Sequence, residues 1–101
     1  MSQAESESTT HTIRPGYDIV ASKLDQFRDE VQAVIDDGAV EMVIDLGEVT
    51  MIDSRGLAVF AVCQKALADR GGKLTVRQAN PDLVRLFAMT RLDQHFEVQP
   101  A

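Results

Sequence analysis

The sequence predicts an α/β fold in which helices cover a largely parallel sheet. Short apolar segments alternate with longer segments of helical periodicity, in the order β, β, α, β, α, β, α, with a further segment that adds an edge strand at the end. Strands that alternate with helices are joined by right-handed crossovers, which place those strands parallel to one another. With 101 residues, the chain has room for one such domain.

Five segments have the character of strands. The strongest is Val40–Leu46, whose sequence VEMVIDL has a continuous apolar middle. Such a run predicts a strand that is buried on both faces of the sheet. The other four are shorter: Thr12–Arg14, Asp18–Ala21, Leu74–Val76 and Phe96–Val98.

Three segments have the character of helices. The first presents one apolar stripe, with Ser22 as the predicted N-cap and Gly38 as the C-terminal stop; its apolar residues are Leu24, Phe27, Val31, Val34 and Ile35. The second, Leu57–Arg70, has the length and the alanine content of a helix. The third is predicted to start with Asn80 as N-cap and Pro81 at the first helical position.

The charge of the chain limits its partners. A formal net charge of −6 argues against nucleic acid and against an anionic membrane surface, both of which require a basic patch. The charge is uneven, because residues 1–50 hold 11 acids and 3 bases while residues 51–101 hold 5 acids and 7 bases. The second half is therefore the better candidate for contact with an acidic partner or a phosphate.

The N-terminal residues predict a tail rather than a targeting segment. Residues 1–11 are rich in serine, threonine and glutamate and have no periodicity, so we expect a disordered tail, followed by one domain over residues 12–101. The tail has neither a basic start nor an apolar stretch, and the longest apolar run, Leu57–Cys63, is too short to span a membrane. We therefore expect a cytoplasmic protein without membrane insertion.

Cysteine, histidine and methionine usage predicts neither a metal site nor a cofactor. The single cysteine, Cys63, excludes an internal disulfide and is interpreted as a core residue. The two histidines, His11 and His95, are too far apart in sequence to have a metal-ligand spacing. Three methionines are interpreted as core fillers: Met42, Met51 and Met89.

The most distinctive stretch is Asp53-Ser54-Arg55-Gly56, between the strongest strand and the alanine-rich helix. A strand-to-helix turn places Ser54 at or next to the N-cap, where it could simply cap the helix while Asp53 forms the turn. The free backbone N–H groups and the positive dipole end of a helix start can also hold a phosphate, so Ser54 is also a candidate phosphorylation site. Arg55 would add a cation that pairs with the phosphate or with a carboxylate of a partner.

The alanine-rich helix has two different faces. One side carries the predicted core residues Val59, Phe60, Cys63, Ala66 and Leu67. The other side, near Ser54, carries small apolar residues, namely Ala58, Ala61 and Val62, with Lys65 beside them. This second face is suited to a protein interface, or else to coverage by another helix.

The run from Val43 to Leu57, VIDLGEVTMIDSRGL, resembles the signature of STAS domains, the anti-sigma factor antagonists of bacteria. In that family, a strand of the type V-x-D-L-S-x-V runs into D-S-[S/T]-G-L. The downstream Gly71-Gly72-Lys73-Leu74 and the segment from Leu86 to Leu92 are similar to later elements of the family. The resemblance covers roughly residues 12–98 and implies a mixed, largely parallel sheet of four to five strands with three to four helices mainly on one face.

The resemblance implies a partner-switching regulator of transcription rather than an enzyme. An unphosphorylated antagonist binds a serine kinase that doubles as an anti-sigma factor, phosphorylation on the serine after the motif aspartate releases it, and a serine phosphatase reverses the change. That serine corresponds to Ser54 and the aspartate to Asp53. The predicted partner-binding residues are Asp53, Ser54, Arg55, Gly56, Ala58, Ala61 and Val62, on a monomer or weak dimer without cofactor, metal or nucleic acid.

Two departures from the family pattern leave alternatives open. Arg55 stands where the family has a second hydroxyl residue, and Val20 stands where the family has an aspartate before the first helix. A phosphorylation-independent STAS subunit of a signalling or lipid-transport assembly therefore stays an alternative. A serine hydrolase that uses Ser54 with His95 or His11 is a remote one, since the motif lacks the first glycine of a nucleophile elbow.

Overall fold

The computed structural model describes residues 10–101 and has one sheet of four strands. The strands are β1 (Thr10–Ile13), β2 (Glu41–Asp45), β3 (Lys73–Ala79) and β4 (Glu97–Pro100), in the spatial order β1-β2-β3-β4. All three neighbouring pairs are parallel. The predicted α/β fold with a largely parallel sheet is therefore confirmed.

Three α-helices connect the strands. They are α1 (Leu24–Asp36), α2 (Ser54–Asp69) and α3 (Pro81–Met89), and two short 3-10 turns accompany them at Ala21–Lys23 and Leu92–Gln94. Each α-helix follows one strand and precedes the next, as a parallel sheet requires. The loops at the carboxyl ends of the strands therefore lead into the helix N-termini.

The first strand begins two residues earlier than predicted. The strand β1 starts at Thr10, so Thr10 and His11 pair with Glu41 and Met42 instead of belonging to the tail. Residues 1–9, for which we predict disorder, lie outside the described residues. The predicted strand at Asp18–Ala21 is reduced to a single parallel bridge between Ile19 and Ile52.

The helix ends show which capping signals were sufficient. Asn80 caps α3 through its side chain and Pro81 is the first helical residue, as predicted. Gly38 follows α1 with a positive φ of 91°, which suits its predicted role as a stop. Ser22 is not the N-cap of α1, because it lies inside the 3-10 turn and no side chain caps this helix. The extra turn moves the helix start past the serine.

The sheet has one buried face and one open face. Ile13, Ile44 and Val76 share a row across β1, β2 and β3, and all three are buried. The alternate row on the opposite face is only half-buried or exposed: Thr12, Val43 and Thr75. The prediction that β2 is buried on both faces is therefore wrong. Val43 has Thr12 and Thr75 as its neighbours on the adjacent strands, and within residues 10–101 no helix covers this face. The helices therefore occupy one face of the sheet, as the family resemblance implied.

An aromatic cluster joins the helices above the buried face. The ring of Phe60 in α2 lies 5.4 Å from Phe27 in α1, 5.4 Å from Phe87 in α3 and 6.2 Å from Phe96, measured between centroids. Aromatic pairs at these separations add stabilisation beyond the area that they bury. The side of α2 that carries Phe60 is thereby fixed toward the core, which turns the opposite side of the helix outward.

The sulfur-containing residues divide between core and surface. Cys63 is buried with its Sγ atom 3.5 Å from Sδ of Met42, and burial raises the pKa of its thiol to about 12, so both residues are core residues as predicted. Met51 and Met89 are not core fillers, because they are 57% and 74% exposed. Their apolar character had suggested burial, but Met51 lies in the loop before α2 and Met89 is the last residue of α3.

Candidate functional site: the loop after β2 and the start of α2

The loop after β2 begins with a buried carboxylate. Asp45, the last residue of β2, accepts a hydrogen bond of 2.9 Å from the backbone N–H of Gly47. Its carboxylate also lies 3.4 Å from the guanidinium of Arg77 and 3.9 Å from that of Arg14. These contacts satisfy a charge that would otherwise be costly to bury, and they fix the direction in which the chain leaves the sheet.

A second carboxylate, Asp18, holds the middle of the loop from a distance of 32 residues along the chain. It accepts hydrogen bonds from the backbone N–H and the hydroxyl of Thr50, at 2.8 and 3.0 Å, and from the N–H of Met51 at 3.2 Å. These bonds hold the pKa of Asp18 below its ordinary value, and the bond from the Thr50 backbone N–H has the largest effect. Sequence reasoning had placed the family's aspartate at Val20 and did not identify Asp18 as an anchor.

The start of α2 is capped by Asp53. The Asp53 side chain accepts a hydrogen bond of 2.9 Å from the N–H of Gly56, and its backbone carbonyl accepts one of 3.0 Å from the N–H of Leu57. Ser54 is consequently the first residue of the helix and is exposed. The prediction that Ser54 lies at or next to the N-cap is confirmed, and Asp53, rather than Ser54, makes the capping bond.

Gly56 is buried and its role is steric. A Cβ atom at this position would lie 2.7 Å from Cγ2 and 2.8 Å from the carbonyl oxygen of Ile19, and 3.0 Å from Cγ2 of Ile52. The bridge between Ile19 and Ile52 thus packs directly under the first turn of α2. Only glycine allows this close approach, which presents Ser54 on the outer side of the turn.

The outward side of α2 is small and apolar, as predicted. Ala58 and Val62 are exposed, with Val62 at 68%, and Ala61 is half-buried. Met51, 57% exposed, adds a large apolar side chain in the loop that precedes Ser54. Two of the three large exposed apolar residues in the described part of the chain therefore lie close in sequence to the candidate serine.

Arg55 is the cation of this surface. It is exposed, and within residues 10–101 it makes no ion pair with an acidic side chain. The other outward cation of the helix, Lys65, lies 3.9 Å from Asp69. Arg55 is thus available to an external anion, while Lys65 is shared with its own helix.

Neither histidine is placed to serve Ser54 as a base. His11 lies in β1 opposite Met42, near the amino ends of the strands, and its Nε2 is 3.4 Å from Asp37. His95 directly precedes the amino end of β4. Ser54 lies beyond the carboxyl end of β2, and the length of this strand, about 15 Å, separates that end from the amino ends where the histidines lie. The geometry does not bring together the pair that the hydrolase alternative requires.

Two kinds of feature are absent from the described part of the chain. Residues 10–101 contain no group of three or more histidine, cysteine, aspartate or glutamate residues arranged to hold a metal ion. Among the helices that the structure describes, none combines the length and apolar character needed to cross a membrane.

The fold and the loop motif define a STAS domain. A family model described as "Mlab, STAS domain" matches residues 4–100. The chain therefore belongs to the STAS domain family, as its sequence motif implied. A search of curated protein sequences finds no match.

Solved structures of anti-sigma factor antagonists are similar to this chain. A putative anti-sigma factor antagonist from Thermotoga maritima is 21% identical with a TM-score of 0.82, and the match covers 89% of this chain and 78% of the other. An anti-sigma factor antagonist from Mycobacterium paratuberculosis is 26% identical with a TM-score of 0.77, over 89% and 76% of the two chains. The Bacillus cell fate determinant SpoIIAA in its phosphorylated form is 16% identical with a TM-score of 0.70, over 90% and 83%.

Proposed function

We propose that this STAS domain is an anti-sigma factor antagonist that works by partner switching in the bacterial cytoplasm. In its unphosphorylated form it binds a serine kinase that doubles as an anti-sigma factor, and phosphorylation of Ser54 releases it. A serine phosphatase restores the binding form. The observation that carries the proposal is the exposed hydroxyl of Ser54 on the first turn of a capped helix, beside an outward apolar surface.

The position of Ser54 suits a phosphate. The first turn of a helix has backbone N–H groups without partners inside the helix, and Asp53 occupies the one of Gly56. The remaining N–H groups and the positive end of the helix dipole favour an anion at this point. The chemistry of transfer belongs to the kinase and its Mg-ATP, and the proposal assigns this chain no catalytic residue and no cofactor.

The same position explains how phosphorylation would end binding. A phosphoserine adds about −1.5 to −2 charges at neutral pH. Ala58 and Val62, which are exposed on the same helix, offer apolar contact rather than cations to such a charge. A partner surface that fits a neutral hydroxyl and apolar neighbours would be repelled or left with an unsatisfied charge.

The structural neighbours support this proposal. The Thermotoga protein, the Mycobacterium protein and SpoIIAA are all described as anti-sigma factor antagonists, the first as putative. SpoIIAA has been solved in an unphosphorylated and in a phosphorylated form. The proposal carries this type of cycle over to Ser54.

The test is phosphorylation by a purified serine-kinase anti-sigma factor of the host with Mg-ATP, read by intact mass and peptide mapping. We expect one phosphoryl group on wild type, none on Ser54→Ala, and one on the control Ser22→Ala, which removes another exposed serine. Unchanged phosphorylation of Ser54→Ala would contradict the proposal. In binding assays with the same kinase, Ser54→Ala should retain affinity and Ser54→Asp should lose at least about tenfold.

A phosphorylation-independent interaction subunit is the second candidate. It is favoured by Arg55, which stands where the family motif has a hydroxyl and makes no ion pair within residues 10–101. In that case Ser54 stays unmodified in the assay, and Ser54→Asp binds its partner as tightly as wild type.

A further inference from the structure

A groove with a volume of about 330 Å³ lies between α1 and α2. It begins beside the start of α2 and follows both helices, so it continues the outward apolar side of α2 onto α1. Its walls are mainly apolar, and the apolar side chains that line it are Leu24, Val31, Ile35, Ala58, Val59, Val62 and Cys63. Val62 thus belongs both to the outward surface of α2 and to the groove.

The polar residues of the groove are cationic or neutral. Arg28 and Arg55 line it together with Gln32, and none of the ten lining residues is acidic. This is the reverse of the chain as a whole, which has a formal charge of −6. A concave surface with apolar walls and two guanidinium groups is complementary to an apolar segment that carries a carboxylate.

Both arginines can reach an external carboxylate. Arg55 makes no ion pair within residues 10–101, and Arg28 lies 2.6 Å from Asp25, three residues earlier on the same helix. Asp25 is 92% exposed, and an exposed pair at this spacing contributes little to stability because solvent screens it. A carboxylate held in the groove by both guanidinium groups can therefore replace Asp25.

We infer that the groove between α1 and α2 receives an amphipathic helix of the kinase partner, whose apolar side contacts the groove and whose carboxylate binds Arg55 and Arg28. The inference rests on the proposed function and specifies which chemistry the partner presents. A helix that lays its apolar face between two others is a common mode of peptide recognition. The arginine that departs from the family motif then becomes a specificity determinant of this chain.

The inference also gives phosphorylation a second effect. Ser54 and Arg55 are consecutive residues in the first turn of α2, so a phosphate on Ser54 competes with the partner's carboxylate for the Arg55 guanidinium. Since the two effects share Arg55, they should not be additive. The loss of affinity caused by Ser54→Asp should be smaller in an Arg55→Gln background than in wild type.

The test measures the affinity of the purified host kinase for the full chain and its variants. We expect Arg55→Gln to weaken binding about tenfold and Arg28→Gln about threefold, because charge-assisted hydrogen bonds are lost. The matched control is Arg85→Gln on α3, whose arginine lies 3.5 Å from Asp82 at the same spacing but outside the groove. It should change the affinity by less than about twofold.

Amide chemical shifts locate the contact. Adding the kinase should shift the signals of Leu24, Val31 and Val62 more than those of Val84 and Ala88, which line a different groove. Affinities of Arg55→Gln and Arg28→Gln equal to that of Arg85→Gln, or shifts confined to α3, would overturn the inference. A dimer of the chain alone that Val62→Asp dissociates would assign the groove to a second copy and overturn it as well.

The two proposals can fail separately. If Ser54 is not phosphorylated but the arginine variants bind weakly, partner binding in the groove is supported and regulation by phosphorylation is contradicted. If Ser54→Asp weakens binding while both arginine variants bind like wild type, regulation at Ser54 is supported and partner binding in the groove is contradicted.

Discussion

The starts of α2 and α3 have the same backbone geometry and different chemistry. Each helix is capped by the side chain of the preceding residue: Asp53 accepts from the N–H of Gly56, and Asn80 from the N–H of Leu83, both at 2.9 Å. After the cap, the residues differ at every position. The comparison shows that a capped helix start is a common structural device, and that the side chains on its first turn decide whether it can also be a regulatory site.

The first two residues of α2 and α3 differ in their hydrogen-bonding groups and in their charge. The first residue of α2 is Ser54, which offers a hydroxyl, while Pro81 in α3 has neither a hydroxyl nor a backbone N–H. The second residue is Arg55 in α2 and Asp82 in α3. Asp82 complements the positive end of its own helix and is paired with Arg85, whereas Arg55 adds a positive charge at that end and makes no ion pair within residues 10–101. The charge at the second residue of α3 is thus paired within its own helix, whereas the charge at the second residue of α2 is not.

At the third position the difference concerns packing, and it produces the largest expected effects. Leu83 is buried in the core, so Leu83→Ala should lower the free energy of unfolding by about 3 kcal/mol. Gly56 is in contact with Ile19, so Gly56→Ala adds an atom where there is no space and should cost about 2 kcal/mol. Urea denaturation measures both values.

The control for Gly56→Ala is Gly16→Ala. A Cβ atom at Gly16 would have Glu48 Oε1 as its nearest neighbour, at an ordinary 3.6 Å, so this change should alter the stability by less than about 0.5 kcal/mol. Equal effects of the two glycine substitutions would show that the contact between Ile19 and the first turn of α2 does not restrict position 56.

Removal of either helix cap should lower the stability by the same amount, but only one of the two changes should affect phosphorylation. Asp53→Ala and Asn80→Ala should each cost about 1 kcal/mol, since each leaves one backbone N–H of the first turn without its partner. Only Asp53→Ala should also slow phosphorylation by the host kinase, because it loosens the turn that presents Ser54. The stability of both variants is measured by denaturation, and their phosphorylation by initial rates. Equal rates for Asp53→Ala and Asn80→Ala would show that the Asp53 cap does not contribute to the phosphorylation of Ser54.

Local signals were sufficient for α3 and only partly sufficient for α2. An Asn-Pro pair before an apolar stripe favours a helix start, and α3 begins where the pair predicts. The predicted start of the second helix, Leu57, is three residues late, because Asp-Ser-Arg-Gly has the composition of a turn and glycine is a poor helix former. The tertiary contact of Gly56 with Ile19 outweighs that local preference.

What the sequence could not supply are the contacts between distant segments. The motif was sufficient to predict that Asp53 and Ser54 lie at the start of α2 and that one side of this helix is exposed and apolar. The groove that Arg28 and Arg55 both line depends on how α1 packs against α2, and no local pattern encodes that packing. The same holds for Asp18, whose hydrogen-bond donor Thr50 lies 32 residues further along the chain.

Asp18 also marks the last difference between the two helix starts, with the smallest expected effect. The chain passes from β3 to Asn80 directly, whereas it reaches Asp53 through a loop that Asp18 holds. Since the hydrogen bonds lower the pKa of Asp18 below its ordinary value of 3.8, its stabilisation is present above that value and is lost as the pH falls through the lowered pKa. Asp18→Asn should therefore be less stable than wild type near neutral pH, and the two denaturation curves should converge in acid. The exposed Asp93, changed to asparagine, serves as the control and should show no such convergence. A gap between wild type and Asp18→Asn that is independent of pH would mean that the shape of the side chain, rather than its charge, orders the loop before Ser54.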